Sequence, residues 1–420
     1  MPRFMYILLL FIFSPVAGNA QAARSLVMSV RSPQMVLNGE WDAPAVMMLG
    51  SDDRLLFSFD EMSHTYHRYL CRITHRNADW SMSDLLEIDY LDGFNNMPVE
   101  EWENSVNTTQ LYTHYEYSIP NENVSLKLSG NYRLEILDGE SPDESPVALF
   151  DFSVVEPRVA VRASVSGDTD RSLNDGEQQL SFVVDYSRYG IANPAADIKP
   201  VVYQNRRRDN AVIGVKPTYI RGGDAEYVHN EKLIFDAGNE YRRFELTDPN
   251  SPGMNVEEVV YYAPDYHALL YMDEVRRYHS EYRDEDGRYF VNTLEGYGSP
   301  IEADYVYVHF ALDAPYRTGG DYYLMGDFAG VPFSPLCKLE YDAEEGYYFT
   351  SQLLKLGLYN YMYICIYGCR MVPRRALCFQ PKEPATTRRM NTLYIYHRAF
   401  GDRYDRLVGV QALKYSLENN

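Results

Sequence analysis

Alternation of apolar and polar positions is the dominant pattern in this chain. Leu55-Leu56-Phe57-Ser58-Phe59 opens a series that continues with His67-Arg68-Tyr69-Leu70-Cys71-Arg72-Ile73-Thr74. Tyr132-Arg133-Leu134-Glu135-Ile136-Leu137 repeats it after the turn signal Ser129-Gly130-Asn131. Runs from Val147 to Val155, Val159 to Val165 and Leu180 to Tyr186 follow, and Asp304 to Leu312 is the cleanest alternating run. A period of two is what a half-buried strand requires. Turn signals recur about every ten residues, a spacing of sandwiches rather than βαβ units. Val99 to Leu111 reads as a short helix or an irregular loop, and no long amphipathic helix or heptad array is present. The expected fold is all-β, with three consecutive β-sandwich domains of immunoglobulin-like or early-set type. Boundaries are expected near Glu156-Pro157 and near residue 302, after the loop-rich stretch Asp284 to Pro300. The division is then 23–156, 157–301 and 302–420.

The N-terminus has a different pattern. Arg3 precedes an apolar run from Phe4 to Phe13, and Ala20-Gln21-Ala22 supplies small residues at a cleavage spacing. This is the layout of a secretory signal peptide over residues 1–22, too short to span a bilayer. The expected mature chain starts at Ala23. It carries no cysteine at that end for lipid attachment.

Charge narrows the partners. Across 420 residues the formal net charge is −21, and residues 24–155 hold 8 Lys/Arg against 22 Asp/Glu, a net of −14. Such a chain repels nucleic acid and anionic lipid. Tyrosine is abundant at 38 residues, which suits strands and half-buried or partner-facing surfaces. Cys71, Cys337, Cys365, Cys369 and Cys378 leave the disulfide state open, because the odd count keeps one thiol out of any intrachain pairing. The spacing of the last three matches no standard zinc module.

Candidate chemistry is sparse. Arg283-Asp284-Glu285-Asp286-Gly287 looks more like a polar hairpin turn than a calcium loop, since flanking helices are absent. His64, His67 and His75 do not share one strand face, so surface roles are expected. His75-Arg76-Asn77-Ala78-Asp79-Trp80 mixes groups used in catalysis, but no second positioned group accompanies them, and Asp79 suits a turn. No nucleophile elbow, P-loop, zincin or dinucleotide motif occurs. No catalytic, cofactor or metal residue is assigned. Tyr322 to Phe328, with Gly-Asp-Phe at its end, resembles the glycogen-binding type of early-set sandwich, as do Gly346 to Thr350 and Leu356 to Tyr363. Ala329-Gly330-Val331-Pro332-Phe333 follows Phe328, so the sugar-stacking Trp is missing and only the fold is implied.

Several motifs in order resemble one family, the type IX secretion system plug proteins. His75 to Trp80 is similar to an H-x-D-A-D-W element, with Asn77 at the first acidic position. Asp89-Tyr90-Leu91-Asp92-Gly93-Phe94 resembles an E-Y-x-x-G-F element. Tyr112 to Tyr115, Pro120-Asn121, Ser129 to Tyr132, Val202 to Asn205 and Ala237 to Phe244 follow, and Tyr396 to Val410 resembles a closing Y-R-x-F-x-x-R-Y-D-x-L-I-G motif. The resemblance implies a non-enzymatic periplasmic protein, associated with the outer membrane through a translocon barrel whose periplasmic opening it closes. It implies no cofactor, nucleic acid, lipid anchor or small-molecule substrate, and it names no partner-binding residue. The competing expectations are a secreted carbohydrate-binding or glycoside-hydrolase accessory protein, and an assembly factor.

Overall fold

The computed structural model describes residues 22–173, 176–236, 240–276, 284–294, 300–331, 333–367 and 390–414. The expected signal peptide, apart from Ala22, lies outside these residues, as do Cys369 and Cys378. The described residues form strands with two single-turn α-helices and three short 3-10 turns. Val99–Leu111 is no helix: Glu101–Asn104 is a strand paired with Thr113–Ile119, and a loop follows.

The first sandwich closes two sheets. One runs Ala23–Ser25, Pro146–Val155, Gly130–Asp138, Tyr69–Arg76, Met97–Pro98, with Val46–Met48 parallel to Pro146–Val155. The other runs Val30–Leu37, Leu55–Glu61, Thr113–Ile119, Glu101–Asn104. Alternate residues Phe57, Phe59, Tyr115, Leu134, Ile136, Phe150 and Phe152 fill the space between. Phe57 meets Phe150 edge-on at 5.5 Å, and Phe59 stacks on Tyr115 at 5.1 Å. Pro146–Val155 is buried on both faces. Its core face holds Phe150 and Phe152, while Val155 joins Val201, Tyr203, Tyr396 and Leu407 of the next sandwich.

The second sandwich departs from the expected division. One sheet contains Ala160–Ser166, Glu177–Asp185, Asp224–Tyr227 and Tyr219–Arg221, with Ile234–Asp236 beside Glu177–Asp185. The facing sheet runs Arg207–Ile213, Ile198–Gln204, Met390–His397, Arg406–Lys414. The last two strands therefore return across nearly two hundred positions. Leu393, Ile395 and Val408 complete a core with Leu180, Phe182, Ile198 and Val202.

The third sandwich is inserted between those parts and runs from Arg242 to Tyr367, across the boundary expected at 301/302. Its core joins Phe244 and Tyr289 to Val306, Phe310 and Tyr359. That expectation is corrected to one insertion for a physical reason. Met390–His397 is buried on both faces, Leu393 and Ile395 in the second sandwich's core and Tyr396 against Val155, and a partner far away in sequence leaves no trace in periodicity.

Candidate functional site

The motif residues converge on the joint between the first two sandwiches. His75 ends the strand Tyr69–Arg76, with Nδ1 3.0 Å from Ser83 Oγ and Nε2 3.3 Å from the Ser129 carbonyl. Its ring is edge-on to Tyr132 and Tyr404. Burial lowers its pKa to about 4, so the imidazole is neutral at pH 7. A Cβ at Gly130 would sit 2.4 Å from His75 Nε2, which explains the glycine in Ser129-Gly130-Asn131.

The turn after His75 fastens the joint. Ala78 N donates to Asp405 Oδ2 at 3.0 Å, and Lys199 Nζ donates to Asp405 Oδ1 at 2.6 Å. Asn131 Nδ2 donates to the Asn77 carbonyl at 2.9 Å. Tyr396 OH and Ser153 Oγ both donate to Asn131 Oδ1, at 2.7 and 2.8 Å. Trp80 Nε1 donates to Tyr203 OH at 3.1 Å, and the Arg208 guanidinium lies 3.8 Å above the Trp80 ring. Asp79 accepts from Ser81 N and Ser81 Oγ, so it ties its own turn. Asp151, fully buried, meets Arg24, Arg133 and Arg208. Burial works to raise its pKa, but the guanidiniums, Arg208 first, hold it well below the usual carboxylate range.

The joint also carries an exposed apolar loop. Met82, Leu86, Ile88 and Phe94 are solvent-exposed, with Ile88 at 74% and Phe94 at 71%. Phe400, in the turn between Met390–His397 and Arg406–Lys414, is fully exposed. The two segments touch: Arg403 Nη2 donates to Asp89 Oδ2 at 2.8 Å, and Asp84 N donates to the Arg403 carbonyl at 3.3 Å. The loop is held rather than loose. Leu86 N donates to Asp89 Oδ2 at 2.9 Å, Phe94 N to the Asn123 carbonyl at 3.0 Å, and Lys127 Nζ to the Ile88 carbonyl at 2.9 Å. Asn95 bonds both backbone groups of Ile73. Gly93 has φ +113, and a Cβ there would lie 2.0 Å from the Asn123 oxygen. Apolar side chains fixed in water by a built backbone mark a contact surface more than a packing surplus.

Other sequence candidates are dispersed. His64 bonds the Ser105 carbonyl, and His67 bonds Asp138. Asp284 accepts from Tyr241 N within the turn that holds Gly287. In the Gly326-Asp327-Phe328 turn, Phe328 packs edge-on to Tyr359 at 5.3 Å, and Asp327 pairs with Arg206. Cys71, Cys337 and Cys365 are buried.

Residues 30–156 match the family model for the type 9 secretion system plug protein 1st domain. The first sandwich is a type IX secretion system plug domain. A crystal structure of a hypothetical protein from Parabacteroides merdae ATCC 43184 is similar over 94% of this chain and 100% of its own, with 34% identity and a TM-score of 0.89. No curated protein matches the chain. The matched plug domain includes the loop with Ile88 and Phe94 and half of the joint. Asp405, Lys199 and Arg208 lie beyond it. The exposure of this loop is not legible in the sequence, where Asp92-Gly93-Phe94 stands out only as a turn signal.

Proposed function

We propose that this plug-family protein seats on the outer-membrane translocon barrel of the type IX secretion system and closes its periplasmic opening, acting without catalysis. The observation that carries this reading is the loop Met82–Phe94 of the matched domain, which presents fixed apolar side chains to solvent. A stopper also has to be stiff. Buried polar bonds tie the first sandwich to the second through Asp405 and Asp151, and to the third through Asp60 and Lys355. Aromatic and aliphatic anchors on such a body suit a seat that must bury about 1,200–2,000 Å² in total to be stable. Inward packing of Phe328 supports this reading over sugar binding.

The test is recovery of the tagged protein from gently extracted outer membranes. The wild type brings down a large barrel protein. Ile88→Ser with Phe94→Ser keeps its circular dichroism and loses that barrel by about tenfold or more, as removal of central anchors does. Equal recovery of the barrel by the variant, or envelopes that exclude small solutes normally without this protein or a substitute, overturns the proposal.

A further inference from the structure

Two small adjoining pockets open where the three sandwiches meet. In the expected mature chain they share Ala45, Arg206 and Asp327 as walls. Arg208 and Tyr394 line one, and Arg288 lines the other. Together the two linings carry three arginines, Arg206, Arg208 and Arg288, against two aspartates, Asp151 and Asp327.

The cations come from different strands and are fixed by their first partners. Arg206 Nη1 donates to Asp327 Oδ2 at 3.2 Å, and Arg208 Nη1 donates to Asp151 Oδ2 at 2.5 Å. A guanidinium has five N–H donors, so each arginine keeps more donors than its carboxylate uses. Arg288 donates to the carbonyls of Trp41 and Ala43, which are neutral groups. Burial, with Arg206 beside it, disfavours the Arg288 charge, while Asp327, Asp286 and Asp42 offset the effect in part. Asp151 is shared among three guanidiniums. Tyr394 lies in the field of Arg206, Arg208 and Arg288 together.

A tight two-residue hairpin loop carries Arg206. Asn205 and Arg206 both have positive φ, +49 and +58, in the turn between Ile198–Gln204 and Arg207–Ile213. An arginine in the left-handed region is uncommon. Here the loop places Arg206 in the wall that both pockets share, beside Arg288 in one and Arg208 in the other. Clustered guanidiniums with spare forked donors match the geometry of carboxylate and phosphate oxygens.

We propose that this three-sandwich junction binds a small oxyanion of the phosphate or carboxylate class, held by Arg206, Arg208 and Tyr394 with Arg288 adding field. Because its walls come from all three sandwiches, the bound anion favours their joined arrangement, as any ligand favours the state that binds it.

Isothermal calorimetry on the purified protein at fixed ionic strength tests this, with inorganic phosphate in one arm and citrate in the other. Saturable binding of at least one is expected, and the arm with the tighter binding names the class. Arg206→Gln weakens it by about tenfold or more, the loss of one bidentate charged donor. Tyr394→Phe, which keeps the ring, weakens it less and stands in should Arg206→Gln fail to fold. The proposal is overturned by no binding of either anion to the wild type, or by an affinity unchanged in whichever variant folds. None of these results depends on the barrel contact.

Discussion

The Asp60 carboxylate and the Lys355 ammonium lie 2.7 Å apart, with both side chains 1% exposed, and 295 positions separate them in the chain. Asp60 also accepts from Tyr305 OH at 2.6 Å and bonds His114 Nδ1 at 2.6 Å. Lys355 lies 4.1 Å over the Tyr112 ring. The first and third sandwiches therefore meet through a buried ion pair whose remaining lone pairs are satisfied. Burial works to raise Asp60, but Lys355 and His114 outweigh it and hold the carboxyl below its ordinary range.

Removing one partner leaves a buried charge without its counterpart. Lys355→Met is expected to cost about 3–5 kcal/mol in urea unfolding. Adding Asp60→Asn restores part of that loss, so the double variant is more stable than the sum of the single changes predicts. Additive single effects would show that the pair is not coupled.

Two buried histidines set opposite slopes of stability against pH. The folded pKa of His75 is lowered to about 4 by burial, against an ordinary 6.5. Its contribution is complete above 6.5 and is lost as pH falls toward 4, by about 3 kcal/mol. For His114, burial works to lower the pKa, but the hydrogen bond and charge of Asp60 win and raise it. Its contribution is complete below 6.5 and is lost as pH rises through the folded value. A stability maximum near pH 6.5 follows. Urea midpoints across pH 4 to 8 check it: His75→Gln flattens the acid limb, and His114→Gln flattens the limb above 6.5.

Much of the strand content was legible because alternation is local. Leu55–Glu61, Tyr69–Arg76, Gly130–Asp138 and Tyr305–Asp313 all coincide with alternating runs. Pairing was not legible. Nothing in Met390–His397 points to Ile198–Gln204, because each strand needs only a buried face and any register-compatible neighbour supplies one. The motif His75 to Trp80 was visible as an unusual string. Its use, packing His75 and locking Ala78 to Asp405, depends on a residue 327 positions away. The exposed loop was missed because exposure is a tertiary property: Ile88 and Leu91 are equally apolar in sequence, and only Leu91 turns inward.

Gly93 tests whether the loop must be held. At φ +113, with the Asn123 oxygen in the way, Gly93→Ala is expected to cost about 1–3 kcal/mol locally. Faster hydrogen exchange should be confined to residues 86–95 and their neighbours at 123–126. Barrel recovery should fall with it although Ile88 and Phe94 are unchanged. Retained recovery alongside faster exchange would show that preorganisation of this loop contributes nothing to seating.

His267 and His309 form a pair on the outer face of the third sandwich. His267 Nδ1 is 2.9 Å from His309 Nε2, and His309 Nδ1 is 2.7 Å from Ser351 Oγ. At that distance a single proton sits between the rings, and a second is opposed. Burial first, then His267, lowers the pKa of His309. His267→Gln should therefore move the His309 titration upward in an NMR pH series. A downward or absent shift would rule out the mutual effect.

The return of the C-terminal strands makes the second sandwich the one that a C-terminal deletion damages. Met390–His397 sits between Ile198–Gln204 and Arg406–Lys414 as an interior strand. Without residues 390–420, Ile198 and Val202 lose Leu393 and Ile395, and the edge of Ile198–Gln204 is left unpaired. The same deletion removes Tyr396 from Asn131 and Asp405 from Ala78 and Lys199, so the joint opens together with the core. The third sandwich contains none of the deleted strands and keeps its sheets. Hydrogen exchange on the truncated chain should show lost protection in Glu177–Asp185 and Ile198–Gln204, and retained protection in Tyr305–Asp313. Were the C-terminal strands instead part of the third sandwich, as the linear order of the chain suggests, the losses would fall in Tyr305–Asp313 and the second sandwich would be spared. The two patterns exclude each other, and one measurement separates them.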